Sequence, residues 1–251
     1  MRVLQVITSL GTGGAEKLLV DSIPLYKLKG IDMDLLLLNG TETPFLKLLK
    51  EQNVTIYTLS KGNIKTVYNP FHIFRIIPYI RKYDIVHVHL FPSLYWAAFA
   101  KLLSFGKTKL VFTEHNTHNR RIGNITGRVL DKFVYHQYDT IVSIAKEVDT
   151  VIKLHLSFKK DKFKIIHNGI NLSQFVHNFS KEENTVRSKI ILIQVSAFRE
   201  QKDQVTLIRA LRYLPQNVNL LLVGDGDKRT KCEDLVKELN LSGRVSFLGV
   251  R

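Results

Sequence analysis

The sequence has one cysteine, few acidic residues and no long apolar run. Cys232 stands alone in 251 residues, which excludes an internal disulfide framework and a cysteine-clustered zinc site. The longest apolar candidate, Leu94–Phe105, is interrupted by Lys101 and falls short of the about 18 residues of a membrane-spanning helix. Residues 1–10 lack a signal-peptide cleavage site and are predicted to form a buried strand. We therefore expect a protein of the reducing cytoplasm.

The shortage of acids leaves a strong positive charge. Against 22 Asp and Glu stand 37 Lys and Arg, a net charge of +15. Such a charge favours contact with polyanions, which include nucleic acid, an anionic membrane surface and phosphorylated ligands. The basic residues are scattered, and the sequence has no helix-turn-helix, aromatic ribonucleoprotein motif or zinc finger. We therefore expect phosphate ligands and an anionic membrane surface, and no nucleic acid.

Short apolar runs alternate with segments of helical period, which predicts an α/β fold with doubly wound parallel sheets. Strands of a first domain are predicted at Arg2–Thr8, Asp34–Leu38, Val54–Leu59, Ile85–His89, Lys109–Thr113, Thr140–Ser143 and Lys164–Ile166. A second alternation has strands at Ile190–Val195, Asn219–Val223 and Arg244–Leu248, with helices at Gln204–Leu214 and Lys228–Leu239. The polar stretch Asn178–Lys189 separates the two, so we predict domains at residues 1–180 and 181–251.

The segment Gly11–Glu16 follows a strand and opens a helix. Glycines let a backbone approach a ligand closely, and the free N–H groups of a helix start attract anions. The dinucleotide fingerprint G-x-G-x-x-G fails because Glu16 occupies its third glycine position, so a nicotinamide dehydrogenase is disfavoured. A tight turn without a ligand is the alternative to phosphate or sugar binding.

Histidines lie at the C-terminal end of one predicted strand and directly after the next, at the edge where parallel sheets bind ligands. His87 and His89 share one face of their strand, and without a clear third ligand they are structural or substrate-lining rather than metal-binding. The polar run Thr113–Arg120 includes His115, which could bond a sugar hydroxyl or stabilise developing charge. A solvated polar loop is the alternative.

The second domain has two further candidate loops. Arg199 and Lys202 lie between a strand and a helix, where they could clamp a diphosphate, although a solvated basic loop is the alternative. Asp225 and Asp227 form a D-x-D pair of the kind that holds a metal in other transferases, but a glycine turn with solvated acids is favoured.

Together these motifs resemble the group 1 family of GT-B glycosyltransferases. They are, in order, Gly13-Gly14-Ala15-Glu16 before a helix, the strand Asp84–His89, Glu114-His115, Ile166–Ile170, Gln201-Lys202 and Leu222–Gly226. The resemblance runs from Met1 to Arg251. It implies two Rossmann-like domains, the second incomplete, a nucleotide-sugar donor, no metal or other cofactor, and retention of anomeric configuration.

The resemblance also implies roles for single residues. His115 is assigned to the reacting sugar as the catalytic residue. The donor-binding residues are Gly13, Gly14, Arg199, Lys202 and Gly224, and the acceptor-binding residues are Glu16, His89 and His118. In the family an arginine usually follows the strand that corresponds to Ile190–Val195. Here Ala197 stands at that position, and Arg199 lies two places later.

The implied activity is transfer of a sugar from a UDP- or GDP-linked donor to a glycan or lipid-linked acceptor at the inner membrane face. The family's donor domain continues with a glutamate-containing loop, so we expect this chain to be a truncated version of an active enzyme. A nucleotide-sugar epimerase, a metal-dependent transferase using Asp225 and Asp227, and a non-catalytic partner subunit are the competing hypotheses.

Overall fold

The computed structural model describes residues 1–117, 125–157, 160–172 and 189–251, with no side-chain description for residues 125, 126 and 160. His118 and most of the predicted linker lie outside these ranges. The chain divides into two compact units, Met1–Val176 and His177–Arg251.

Among the described residues, the first unit contains a seven-stranded parallel sheet in the order β3-β2-β1-β4-β5-β6-β7. Its strands are β1 (Arg2–Ile7), β2 (Asp32–Asn39), β3 (Ile56–Ser60), β4 (Ile85–His89), β5 (Lys109–Glu114), β6 (Thr140–Ser143) and β7 (Phe163–Ile165). Its helices are α1 (Gly14–Leu28), α2 (Pro44–Glu51), α3 (His72–Lys82), α4 (Ser93–Ser104), α5 (Ile125–His136) and α6 (Lys146–Leu156). Because helices cover both faces, strands such as β2 are almost continuously apolar.

Two apolar clusters pack on opposite faces of this sheet, following the two-residue period of the strands. Val3 and Ile7 face α1 and α2, whereas Leu4 and Val6 belong to the cluster that contains residues of α3, α4, α5 and α6. Gln5 has the parity of Val3 and Ile7 and therefore lies on the α1 side. A polar residue in this row is buried, so it needs a hydrogen-bond partner.

The apolar segment Leu94–Phe105 forms a packed helix. Leu94 and Ala98 are fully buried in α4, and Trp96 packs partly buried against the same cluster. Of this segment, Phe105 is the most exposed residue, at the end of the helix. Within the described part of the chain, no helix has the length and apolarity needed to cross a membrane.

The second unit is described by three parallel strands in the order β10-β9-β8. They are β8 (Ile190–Val195), β9 (Val218–Val223) and β10 (Val245–Gly249), with helices α7 (Gln204–Ala210) and α8 (Arg229–Glu238). The helices close a core with β9 through residues such as Phe198, Ile208 and Leu220.

The α/β prediction is confirmed, and each strand lies within two residues of its predicted bounds. One helix was predicted too long. The segment Gln204–Leu214 leaves the α-helix after Ala210 and continues as a 3-10 turn, Leu211–Tyr213. Leu211 is fully buried there, so tertiary packing rather than helical period determines how this segment ends.

Candidate functional site

The carboxyl ends of β1, β4 and β5 lie side by side in the first unit. Gln5 of β1 pairs in register with His87 of β4, and His89 pairs with Thr113 of β5. Residues at paired positions of parallel strands point to the same face, so side chains from three strands meet here. This is the edge at which open parallel sheets bind ligands.

The glycine-rich segment connects β1 to α1 at this edge. Gly13 is the N-cap of α1 and, having no side chain, leaves the first turn without a side-chain cap. A Cβ atom on Gly13 would lie 2.2 Å from Oε2 of Glu16, so only glycine allows that carboxylate to fold back over the helix start. Among the described residues, no atom comes within 4 Å of a Cβ built on Gly14. The helix start therefore has open space at Gly14, whereas at Gly13 the Glu16 carboxylate already lies over it.

Three histidines form a cluster beside this segment, with their rings tilted to one another. The rings of His87 and His89 have centroids 4.3 Å apart, and those of His89 and His115 are 5.4 Å apart. His89 Nδ1 lies 3.1 Å from His115 Nε2, and His89 Nε2 lies 2.9 Å from Gln5 Oε1. His87 Nε2 lies 2.7 Å from the hydroxyl of Thr113. The cluster therefore has a hydrogen-bonded order that starts in the core and ends at His115.

Burial keeps these imidazoles uncharged at neutral pH. Desolvation lowers the pKa of His115 to about 4, and desolvation together with the nearby His115 lowers the pKa of His87 to about 4. The pKa of His89 lies well below its ordinary value, first because of burial and then because of the other two histidines. Each ring therefore offers one N–H donor and one lone pair.

His89 occupies a different position from the one expected of an acceptor-binding residue. Its residue surface is only 2% exposed, and both ring nitrogens are within hydrogen-bond distance of protein groups. The assignment of direct acceptor contact to His89 is therefore revised: the side chain is buried and contacts His115 from the side of the core. Gln5, which the sequence motifs did not single out, contacts the other ring nitrogen of His89.

Glu114 anchors the turn that carries His115. It is the last residue of β5 and is buried, with Oε2 accepting from the Tyr135 hydroxyl at 2.9 Å and Oε1 accepting from the Asn116 N–H at 3.3 Å. The segment after Thr113 is therefore not uniformly a solvated loop. Its first residue joins the sheet to α5 and supports the backbone at His115.

In the second unit, two glycines bring the loops after β8 and β9 into contact. Gly224 has φ +131° and Gly226 has φ +156°, and Cβ atoms there would lie 2.1 Å from Ser196 O and 2.5 Å from Phe198 O. Backbone bonds join the same loops, since Phe198 N donates to Asp225 O at 3.0 Å. Glycine is required at these positions by close backbone approach.

Arg199 and Lys202 are exposed beside this junction. Neither forms an ion pair with a described residue, whereas Lys228 binds Glu200 at 2.8 Å. The backbone near Lys202 is held by Gln194, whose Nε2 donates to the Lys202 carbonyl at 2.8 Å. Two unpaired cations at the carboxyl end of a strand are suited to an anionic ligand.

Asp225, the first acid of the D-x-D pair, has two close partners in its own unit. The Asp225 carboxylate accepts from Gly226 N at 2.7 Å and lies 3.5 Å from Arg229 Nη1. No group of three or more potential ligands suited to a metal ion occurs among the described residues. A cavity of about 100 Å³ lies nearby, lined in part by Arg199 and Lys228. It is smaller than the roughly 300–1,000 Å³ of most ligand sites, so it does not outline a donor site by itself.

Each of the two units has candidate ligand residues at the carboxyl edge of a parallel sheet, and solved glycosyltransferases of GT-B type share this fold. The Glycosyltransferase Family 4 model matches residues 12–174, which is more than half of the chain, and the Glycosyl transferases group 1 model matches residues 176–251. The chain therefore belongs to the group 1 glycosyltransferases of this fold, which confirms the resemblance.

Curated relatives agree with this family, and a solved structure agrees with the fold. The chain is 27% identical, over 97% of its length, to N-acetylgalactosamine-N,N'-diacetylbacillosaminyl-diphospho-undecaprenol 4-alpha-N-acetylgalactosaminyltransferase of Campylobacter jejuni, covering 68% of that protein. It is 22% identical, over 99% of its length, to the capsular polysaccharide glycosyltransferase CapH of Staphylococcus aureus, covering 70%. The structure of Anabaena HepE with UDP and glucose superposes with a TM-score of 0.80 at 19% identity, covering all of this chain and 70% of HepE. Matches to three further relatives span 32%, 47% and 45% of their lengths.

Proposed function

We propose that this protein is a retaining glycosyltransferase of cell-surface polysaccharide synthesis in the cytoplasm. It transfers a hexose-type sugar from a UDP- or GDP-linked donor to a hydroxyl group of a glycan or lipid-linked acceptor. The observation that carries the proposal is the pair Arg199 and Lys202, two exposed cations without an acidic partner among the described residues. HepE, of similar fold, binds UDP, and the Campylobacter relative acts on a diphospho-undecaprenol substrate, which supports the donor and acceptor classes.

The proposed chemistry develops negative charge on the leaving diphosphate. The bond from the anomeric carbon to the diphosphate oxygen breaks, the bond to the acceptor oxygen forms on the same face, and the acceptor proton passes to the leaving diphosphate. Arg199 and Lys202 stabilise that charge by Coulomb attraction and charge-assisted hydrogen bonds. In the first unit, the start of α1 at Gly13 and Gly14 is assigned to the donor and offers N–H groups to an anionic or polar ligand, and Glu16 and His118 are assigned to the acceptor.

In the same proposal, the neutral ring of His115 hydrogen-bonds a hydroxyl of the reacting sugar. A neutral imidazole can do this without placing a positive charge beside the cationic character that develops at the anomeric carbon. The reaction needs no metal and no cofactor besides the nucleotide sugar, so we expect sugar transfer to continue in the presence of a chelator.

The test is the affinity of the purified protein for UDP, GDP and UDP-glucose, measured by titration calorimetry. Lys202→Ala and Arg199→Ala should each weaken binding of the preferred diphosphate about tenfold, the loss expected for one hydrogen bond to a charged group. Lys237→Ala is the matched control, because Lys237 is an exposed lysine of the same unit that lies on α8 beside Asp234. Equal affinities for all three variants and the wild type would remove the diphosphate assignment.

We also propose that the protein contacts an anionic membrane surface through an exposed segment of the first unit. Between Glu51 and Asp84 the chain has five Lys or Arg residues and no acid. Exposed apolar and aromatic side chains accompany these charges. The aromatic-basic surface comprises Lys61, Ile64, Lys65, Tyr68, Phe71, Phe74 and Arg75, all exposed.

This surface adjoins the carboxyl edge of the sheet. The rings of Tyr68 and Phe91 have centroids 6.1 Å apart, and the Thr8 hydroxyl, at the start of the glycine-rich segment, donates to the Phe91 carbonyl at 3.4 Å. Each basic residue near anionic lipid contributes about 1 kcal/mol, and aromatic rings favour the interface. A lipid-linked acceptor held at this surface would have its polar end close to the glycine-rich segment.

A further inference from the structure

The histidine cluster continues into the core through the side chain of Gln5, and the two hydrogen bonds of its amide group define how that group is oriented. The Gln5 amide nitrogen donates to the sulfur of Met33 at 3.6 Å, which leaves Oε1 directed at His89 Nε2, 2.9 Å away. An amide oxygen only accepts hydrogen bonds, so the proton of this contact belongs to His89 Nε2. Both residues are buried, and an unmade bond here would be costly.

The tautomer of His115 follows from that of His89. A neutral imidazole with its proton on Nε2 has a lone pair on Nδ1, so His89 Nδ1 accepts and His115 Nε2, 3.1 Å away, donates. His115 is then protonated on Nε2 and has its own lone pair on Nδ1. The described residues provide no hydrogen bond to that Nδ1 atom.

We infer that Gln5 and His89 are positioning residues that hold His115 in the Nε2-protonated tautomer, so that its Nδ1 lone pair accepts a hydrogen bond from a hydroxyl group of the bound sugar. The role for the sugar rests on the proposed function. Gln5 and His89 determine which ring nitrogen of His115 carries the proton. A carboxylate hydrogen-bonded to a metal-bound histidine determines the tautomer of that histidine in the same way.

The other groups around the cluster do not impose this tautomer. The His87 ring lies tilted against that of His89, with centroids 4.3 Å apart, but its Nε2 bonds the Thr113 hydroxyl and takes no part in the line from Gln5 to His115. The Glu114 carboxylate is bound by the Tyr135 hydroxyl and the Asn116 N–H. The direction of the proton is therefore determined by the amide oxygen of Gln5.

The first experiment is ¹⁵N NMR of the histidine rings of the purified protein at neutral pH. In the wild type we expect His115 with a protonated Nε2 and an unprotonated Nδ1. Gln5→Leu removes the acceptor of the His89 Nε2 proton, so His89 should move its proton to Nδ1, donate to His115 Nε2 and thereby reverse the tautomer of His115. His87→Gln, on the same strand and face, is the control and should leave the His115 tautomer as in the wild type.

Two results would overturn the inference. One is a wild-type His115 with its proton on Nδ1, which needs no variant and therefore does not depend on whether Gln5→Leu folds. The other is a folded Gln5→Leu protein, verified by its thermal unfolding, in which the His115 tautomer is unchanged.

Kinetics provide the readout that a purely structural role would not move. With a nucleotide-sugar donor, Gln5→Leu should lower kcat about tenfold with a smaller change in KM, since one hydrogen bond that strengthens in the transition state is lost. In a His115→Ala background the same change should have no further effect on kcat. A further loss of kcat in that background would contradict the inference that Gln5 acts through His115. If no variant or wild type transfers sugar, the proposed function fails, whereas the NMR result still decides the tautomer.

Discussion

Gly13 and Gly224 both lie at a carboxyl edge, but they are glycines for different reasons. At Gly13 an added Cβ would meet a flexible carboxylate, that of Glu16, which could turn away. At Gly224 it would meet the backbone carbonyl of Ser196, in a conformation with φ +131° that other residues rarely adopt. Gly13 therefore controls where one side chain lies, whereas Gly224 controls whether two loops can touch.

We predict that Gly224→Ala lowers the free energy of unfolding by about 2 kcal/mol or more, from backbone strain and displacement of the loop after β8. The same displacement should weaken UDP binding, because Arg199 and Lys202 follow that loop. Gly243→Ala is the control, since its Cβ would meet no described atom within 4 Å. Denaturant unfolding and calorimetry of both variants test this, and a Gly224→Ala protein as stable as Gly243→Ala would contradict it.

Three helices of the first unit are joined by one buried acid. Asp131 of α5 accepts from the Tyr95 hydroxyl of α4, and its Oδ2 lies 2.8 Å from Nε2 of His155 in α6. The residues are all buried. A carboxylate at this position satisfies two donors from different helices at once, which specifies how α4, α5 and α6 pack together.

We predict that Asp131→Ala destabilises the first unit by about 3 kcal/mol, because two buried donors lose their acceptor. Trp96, the only tryptophan, lies on α4 and donates to the Val67 carbonyl at 2.8 Å, so its fluorescence reports unfolding of this unit. Asp234→Ala, which removes an exposed acid on α8, should change stability by less than about 0.5 kcal/mol. Similar transitions for the two variants would show that the shared acid contributes little.

Element types were predictable because their signals are local. Short, almost continuously apolar runs locate most of the strands, and only the segment after Gln204 changed type, where Leu211 packs into the core. The candidate site was predictable in part. His115, Gly13, Gly14, Arg199 and Lys202 stand at strand ends, whereas Gln5 gave no motif signal because a lone polar residue within an apolar strand has several possible explanations.

At the scale of the whole molecule, the net charge of +15 includes one stretch without acids, the five Lys and Arg residues between Glu51 and Asp84. The aromatic-basic surface combines positive charge with exposed rings such as Phe71 and Phe74, which are 68% and 60% exposed. Other exposed apolar residues, such as Leu28 and Phe105, lie outside this surface and provide a comparison within the same chain.

We predict that the protein floats with liposomes that contain anionic lipid at low salt and much less with zwitterionic liposomes or at high salt, where charges are screened. The double variant Phe71→Ser, Phe74→Ser should bind at least tenfold more weakly, because it loses the apolar part of the contact. The matched control is Leu28→Ser with Phe105→Ser, which removes apolar side chains that are more exposed but lie elsewhere, and it should float as the wild type does. Equal flotation of the two double variants would exclude this surface, and self-association in light scattering that the first double variant abolishes would assign it to a second copy.

The sequence by itself determined the α/β alternation, the glycine-rich helix start, the strand-end histidines and the family, since each depends on residues close together in the chain. Only the tertiary structure decided which of these residues meet. Gln5 lies on β1, His89 ends β4 and His115 directly follows β5, and the parallel register of these strands brings the three side chains into one hydrogen-bonded line. Contacts between residues so far apart in sequence depend on how strands pair, and strand pairing is a property of the folded sheet rather than of any one segment.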